Sequence, residues 1–324
     1  MSSLLIGLLG ALVATNQPAA VSNLIVQTTG VTVAVPDPND PGEMELKKLM
    51  QEDNDAQTEV DGWIRENRAF AAKGAGIPNP DLNRRILKRF EPVRKGYEDL
   101  IRRYPTLASA RVAFASFLKD LGDEDGEVQQ LEKARELDPK DPAVWNNLAI
   151  YYGEFSPQKK AFEYYEKAIE LDPVESVYYW NFATTVYLYR KDAKEYFHIN
   201  EQQVFDKSLD LYARALKLDP ANFVLATDLA QSYYGIQPVR TEDALMAWTN
   251  ALRIASDEVE REGVYLHLAR FKLNSGRFAE ARAHLNAVTN EACTVLKERL
   301  LRNLDIKEKA AATNSPPAKA AEDK

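Results

Sequence analysis

The chain has 324 residues, 45% hydrophobic and 28% charged, the proportions of a folded chain rather than a disordered one. Its 41 basic and 49 acidic side chains leave a net charge of −8, which argues against a general nucleic-acid binder. The one cysteine, Cys293, excludes an internal disulfide framework and any cysteine-built metal site.

In chain order, residues 4–14 form an apolar run of 11, interrupted by Gly7 and Gly10. That is too short to span a bilayer and suits a signal-peptide core, although no Lys or Arg precedes it and no Ala-x-Ala site comes after it. Residues 1–20 are therefore read as a signal peptide or anchor, with a buried N-terminal helix as the alternative. Export or membrane association is the expected location and the cytoplasm the alternative. Residues 21–42, ending in Pro36-Asp37-Pro38-Asn39-Asp40-Pro41-Gly42, read as a stiff linker. Residues 43–72 predict a long helix with Leu46, Leu49, Met50, Val60, Trp63 and Ile64 as its buried stripe, so that 43–107 form a helical cap with a partial repeat.

An internal repeat organises the rest of the chain. Leu137-Asp138-Pro139, Leu171-Asp172-Pro173 and Leu218-Asp219-Pro220 end successive units, spaced 34 and then 47 residues. Ahead of them recur triplets at offsets of 4 and 3, which share one helical face: Glu127/Leu131/Ala134, Ala161/Tyr165/Ala168, Ser208/Tyr212/Ala215, Ala244/Trp248/Ala251 and Ala281/Leu285/Val288. A large apolar residue followed by alanine marks the other helix of each unit, at Phe114, Leu148, Phe182, Leu229 and Leu268. Each unit is thus two helices and a short turn, and a single hairpin cannot bury its apolar face without neighbours. The expected fold is all-α, an α-solenoid of stacked helix-turn-helix repeats.

The second copy resembles the tetratricopeptide repeat family: Trp145, Leu148, Ala149, Tyr152, Ala161, Tyr165, Ala168 and Pro173 fall where its 34-residue pattern wants them. The resemblance covers about residues 91–295, with repeats expected at about 108–141, 142–175, 176–222, 223–261 and 262–290. A capping helix is expected over 291–305 and a disordered tail over 306–324. The first copy departs from the pattern, with Arg111 and Glu127 where the second has Trp145 and Ala161. The resemblance implies a right-handed superhelix whose first helices line a concave, protein-binding groove. Asn146, Ile150, Trp180, Thr184, Tyr187, Thr227, Gln231, Tyr234 and Arg270 are its implied lining, with Trp180, Tyr187 and Tyr234 as anchors. Packing between neighbouring repeats is the competing role for these aromatics. Asn147 and Asn181 occupy a matching asparagine place, but the basic partners of a carboxylate clamp are absent.

Catalytic chemistry finds no support. His198, His267 and His284 form no His-Glu-x-x-His pair, and no phosphate loop or nucleophile elbow occurs. His267 and His284 lie on the two helices of the fifth repeat and read as surface polar residues. No catalytic, cofactor or metal site is expected, and the chain reads as a non-catalytic scaffold for a protein or peptide partner. The alternative is a membrane-tethered structural or assembly factor. In it the basic stretch 83–103, +5 from eight basic and three acidic residues, contacts anionic lipid or RNA. Pairing of that stretch with acidic residues 43–61, at −5, is the simpler expectation. A 13-residue insertion at 189–201 either joins the binding face or lengthens its hairpin around Tyr196, Phe197 and Ile199.

Overall fold

The computed structural model describes residues 40–314. Among them are fourteen α-helices and two short 3-10 turns, with no strand. The helices are α1 Pro41–Ala71, α2 Asn79–Arg103, α3 Ala108–Asp120, α4 Glu124–Leu137, α5 Pro142–Phe155, α6 Gln158–Leu171 and α7 Ser176–Leu188. They continue with α8 Arg190–Phe197, α9 Glu201–Leu218, α10 Phe223–Ser232, α11 Thr241–Ile254, α12 Glu258–Asn274, α13 Phe278–Asn286 and α14 Thr294–Asn314. The chain is all-α and built of helical hairpins. The expected signal or anchor at 1–20, nearly all of the 21–42 linker and residues 315–324 lie outside the described residues.

Local chemistry sets the helix starts. Asp40 accepts from the Gly42 and Glu43 N–H groups at 2.7 and 3.0 Å, and Pro41, which has no N–H to leave unpaired, is the first helical residue. Helix α1 therefore begins two residues inside the expected linker. Asp141 caps α5, again ahead of a proline, and Asn222 and Asp257 cap α10 and α12. Asn200 and Gln203 bond each other's backbone N–H groups at the start of α9, a reciprocal capping box. The fifth hairpin begins at Glu258, four residues before the spacing placed it.

The helices fall into two compact units, one ending at Pro173 and the other beginning at Val174. In the first, Leu46, Val60, Phe90, Val93, Tyr97 and Leu100 of α1 and α2 pack with Phe114 and Phe117 of α3. Leu131 and Ala134 of α4 then meet Val112 and Ala115 of α3 and Leu148 of α5. Ala134, Ala149, Ala161 and Ala168 are fully buried, which lets helix backbones approach closely.

In the second unit, Phe205, Ala226, Ala230, Trp248, Ala251, Val264 and Leu268 form one core, and Ala281, Leu285, Leu300 and Leu304 a second. The insertion folds as helix α8, buries Ala193 and sets Phe197 against Phe182, with Lys207 above the Phe197 ring at 4.1 Å. It lengthens its hairpin. Helix α14 runs nine residues past the expected end at 305, because Arg282 of α13 reaches both Asp305 and Glu308 at 2.7 Å and Lys307 reaches Asn274.

Candidate interaction face

Within the second unit, the first helices of three hairpins bring most of the sequence-derived lining together. Trp180 of α7 donates its indole N–H to Asp228 Oδ2 of α10 at 2.9 Å. Thr184, one turn on, shares a 2.8 Å hydrogen bond with the Tyr212 hydroxyl of α9. Tyr187 packs against Phe205, and the Arg190 guanidinium lies 5.2 Å above its ring. Its hydroxyl so closely approaches Gly235 that a Cβ there would collide with it, so a larger residue must displace the end of the Tyr187 ring.

Tyr234 continues the same network toward α12. Its ring stacks on Phe271 at 4.7 Å, its hydroxyl shares a 2.8 Å hydrogen bond with His267 Nδ1, and the exposed Arg270 covers it at 4.6 Å. The His267 ring in turn lies flat on Trp248, 4.0 Å away with the planes 3° apart. Thr227 and Gln231 stand half-buried on α10 between these aromatics.

Burial tunes the titratable groups. The Asp228 carboxyl is pushed up to about 6 by desolvation, which the Trp180 hydrogen bond opposes. Burial, helped by the Arg270 charge, takes His267 down to about 4, so its imidazole is neutral at physiological pH. Tyr234 is raised to about 12, again by burial. At neutral pH the face therefore offers aromatic edges, amides and hydroxyls, an acidic Asp228 beneath Trp180, and one exposed guanidinium.

The remaining expected residues lie elsewhere. Asn146 is 0% exposed and bonded to Asn147, so it presents no side chain to a partner; Ile150 lies in the first unit with Asn147, Lys119 and Glu127 around a water-sized cavity of about 10 Å³. The anchors Trp180, Tyr187 and Tyr234 are half-buried, each filling a seam between neighbouring helices. The surface reading of the histidines needs correction, because desolvation and stacking hold His267 inside the network. His284 does not meet it, bonding instead to Lys272 at 3.0 Å and stacking on Tyr265. No group of three or more His, Cys, Asp or Glu residues that could hold a metal occurs among the described residues.

Asp228 escaped sequence reasoning and His267 was read only as a surface residue, yet the register contains both. The residues just before the five apolar–alanine pairs are Ala113, Asn147, Asn181, Asp228 and His267, one column of the repeat. Extending the asparagine place of the second and third copies by the same offset finds both.

Residues 142–175 match the family model for the tetratricopeptide repeat. No curated protein matches the chain. Among solved structures the chain is similar to Pseudomonas aeruginosa PilF, at 14% identity over 78% of this chain and 99% of that one, with a TM-score of 0.49. It is also similar to YrrB, described as a tetratricopeptide-repeat protein with an unusual peptide-binding site, at 14% identity over 65% and 97% of the two chains and a TM-score of 0.45. A crystal structure of MamA is similar at 16% identity, over 55% and 95%, with a TM-score of 0.41.

Proposed function

We propose that this all-α chain, which carries a tetratricopeptide repeat at residues 142–175, is a non-catalytic scaffold holding an extended or helical segment of a protein partner on the α7–α10–α12 face. One observation carries this reading. Trp180 is fixed in orientation by its hydrogen bond, Tyr234 by a hydrogen bond and a stacked ring, and Tyr187 by the tilted Phe205 ring and the Arg190 guanidinium, while all three keep part of their surface open, with Arg270 beside Tyr234. Rigid aromatics with a polar handle lose little entropy when a partner covers them, the property of binding anchors. The tethered-factor alternative has its anchor, 1–20, outside the described residues, and no described helix is long and apolar enough to cross a membrane. Its basic stretch is largely engaged, since Arg89 pairs with Glu59, Arg103 with Glu45 and Arg94 with Asp123.

A photocrosslinking amino acid at Gln231 tests the face against one at Lys217, an exposed position on α9. A single partner segment crosslinked from 231, absent from 217 and lost on Arg270→Glu, is the expected result. The same products from both positions refute this face as the site.

A further inference from the structure

The α1–α2 hairpin is longer than the helices packed against it. Helices α1 and α2 span 31 and 25 residues, against 13 for α3. The fully buried part of the core shared with α3 ends at Val60 and Phe90; Trp63, Ile64 and Ile86 pack on its margin, and Leu82 is buried farther out, so that the end of the hairpin forms an arm. From Arg65 to Asp81 every side chain except Asn67 is exposed.

The tip of this arm is nonetheless ordered by specific bonds. Asn67 accepts from the Ile77 N–H at 2.6 Å and donates to the Ile77 carbonyl at 3.1 Å. The Phe70 carbonyl accepts from Lys73 and Ala75, and Gly74 turns the chain at φ +77°. This clamp holds large apolar side chains in the open: Phe70 is 55% exposed, Ile77 46% and, on α2, Leu87 62%. Scattered apolar surface is ordinary, but here it coincides with charge. Residues 65–88 hold six basic and two acidic side chains, a local +4 in a chain of net −8. Arg84 is paired with Asp81, and Arg85 lies over Trp63 at 3.7 Å. No side chain from Arg65 to Asp81 belongs to the cores described above.

We propose that the tip of the α1–α2 arm is a docking surface for an anionic lipid bilayer, independent of the α7–α10–α12 face. The match is one of charge and shape. A projecting tip can set Phe70 and Ile77 among the acyl chains while Arg65, Arg68, Lys73 and Lys88 reach the headgroups along their alkyl stems. RNA offers phosphates but no use for exposed Ile and Leu, and recognition of unpaired bases relies on several stacking aromatics where the tip has one. Charge alone also fails to distinguish this arm from the adjoining basic stretch 89–103, in which pairing with Glu59, Glu45, Asp123 and Asp99 consumes the arginines.

Sedimentation of the full-length chain with phosphatidylcholine vesicles, and with vesicles containing 30% phosphatidylglycerol, tests this. The anionic vesicles are expected to bind more chain, and the difference to shrink as NaCl rises from 50 to 500 mM. Each removed cation is expected to weaken anionic-vesicle binding about fivefold, so that Arg68→Gln/Lys73→Gln weakens it about 25-fold. Phe70→Ser/Ile77→Ser, which alters only exposed side chains, is expected to weaken it by more than tenfold with an unchanged circular dichroism spectrum. Tip variants that sediment like the unmodified chain overturn the proposal and transfer any lipid binding to other residues, including 1–39. Equal binding to both vesicle types overturns it as well. So does tighter binding to a fluorescent single-stranded RNA than to anionic vesicles at equal salt, with loss on Arg68→Gln/Lys73→Gln, which makes the tip a nucleic-acid site. The photocrosslinking from Gln231 is unaffected by any of these outcomes, so the two readings fail separately.

Discussion

Glu127 is the side chain whose replacement discriminates most sharply. It stands on α4 at the repeat position that Ala161 and Ala281 fill in other copies, and it is 4% exposed. Burial pushes its carboxyl from 4.5 up to about 7, with Glu154 and Asp120 adding to the effect and Lys119 opposing it. The folded state therefore holds the proton more tightly than the unfolded chain. Stability from this group is full below pH 4.5 and is lost as pH rises through about 7. At about 1.4 kcal/mol per pH unit, ionisation costs about 3 kcal/mol, reduced to about 2 kcal/mol by screening at the small cavity beside it. Glu127→Gln removes the titration and keeps the volume. Amide hydrogen exchange in α3 and α4 reads the local opening free energy, which is preferable to a global melt in a repeat array. The variant is expected to match the unmodified chain at pH 4.5 and to exceed it by about 2 kcal/mol at pH 8.5. Parallel profiles across that range would refute the reasoning, because they require the carboxylate to be as well solvated in the fold as in the unfolded chain.

The second unit supplies two more expected outcomes. His267 has the opposite sign: its folded value of about 4 lies below the ordinary 6.5, so the stability it contributes is lost as pH falls through that interval. His267→Gln is expected to flatten the decline in melting temperature between pH 7 and pH 4.5, and an unchanged slope counts against a buried neutral ring. Gly235→Ala drives a methyl into the Tyr187 hydroxyl and is expected to cost about 1–3 kcal/mol in urea denaturation. Tyr187→Phe in the same chain should recover most of that loss, and a loss unaffected by removing the hydroxyl would exclude the clash as its cause.

Most of the fold was legible because small residues recur at fixed spacing and Asp-Pro pairs punctuate it. The insertion was legible as a position but not as a helix, since Phe182 and Lys207, which lie outside it, reveal where Phe197 packs. The extent of α14 was hidden for the same reason: residues 306–314 read as an Ala/Lys/Glu tail until Arg282 and Asn274 are known to lie beside them. Charge was the least legible property. The 83–103 stretch looks like the strongest cationic surface, yet three of its arginines are paired to α1 or to Asp123, and the cations left open belong to the arm tip.

The candidate face makes the relation between register and function concrete. In the column Ala113, Asn147, Asn181, Asp228, His267, the last two members each bond an aromatic residue of the preceding copy, Asp228 taking Trp180 and His267 taking Tyr234. An alanine column would let the helices approach but leave the indole N–H and the phenol hydroxyl without these partners. A polar residue there fixes the aromatic in one orientation, at the energetic expense seen in the raised Asp228 and the depressed His267. Substitution of the column thus converts a packing position into a support for the aromatics of the proposed face. The Gln231 crosslink should consequently weaken in Asp228→Ala even though Asp228 lies beneath Trp180 rather than in the partner's path.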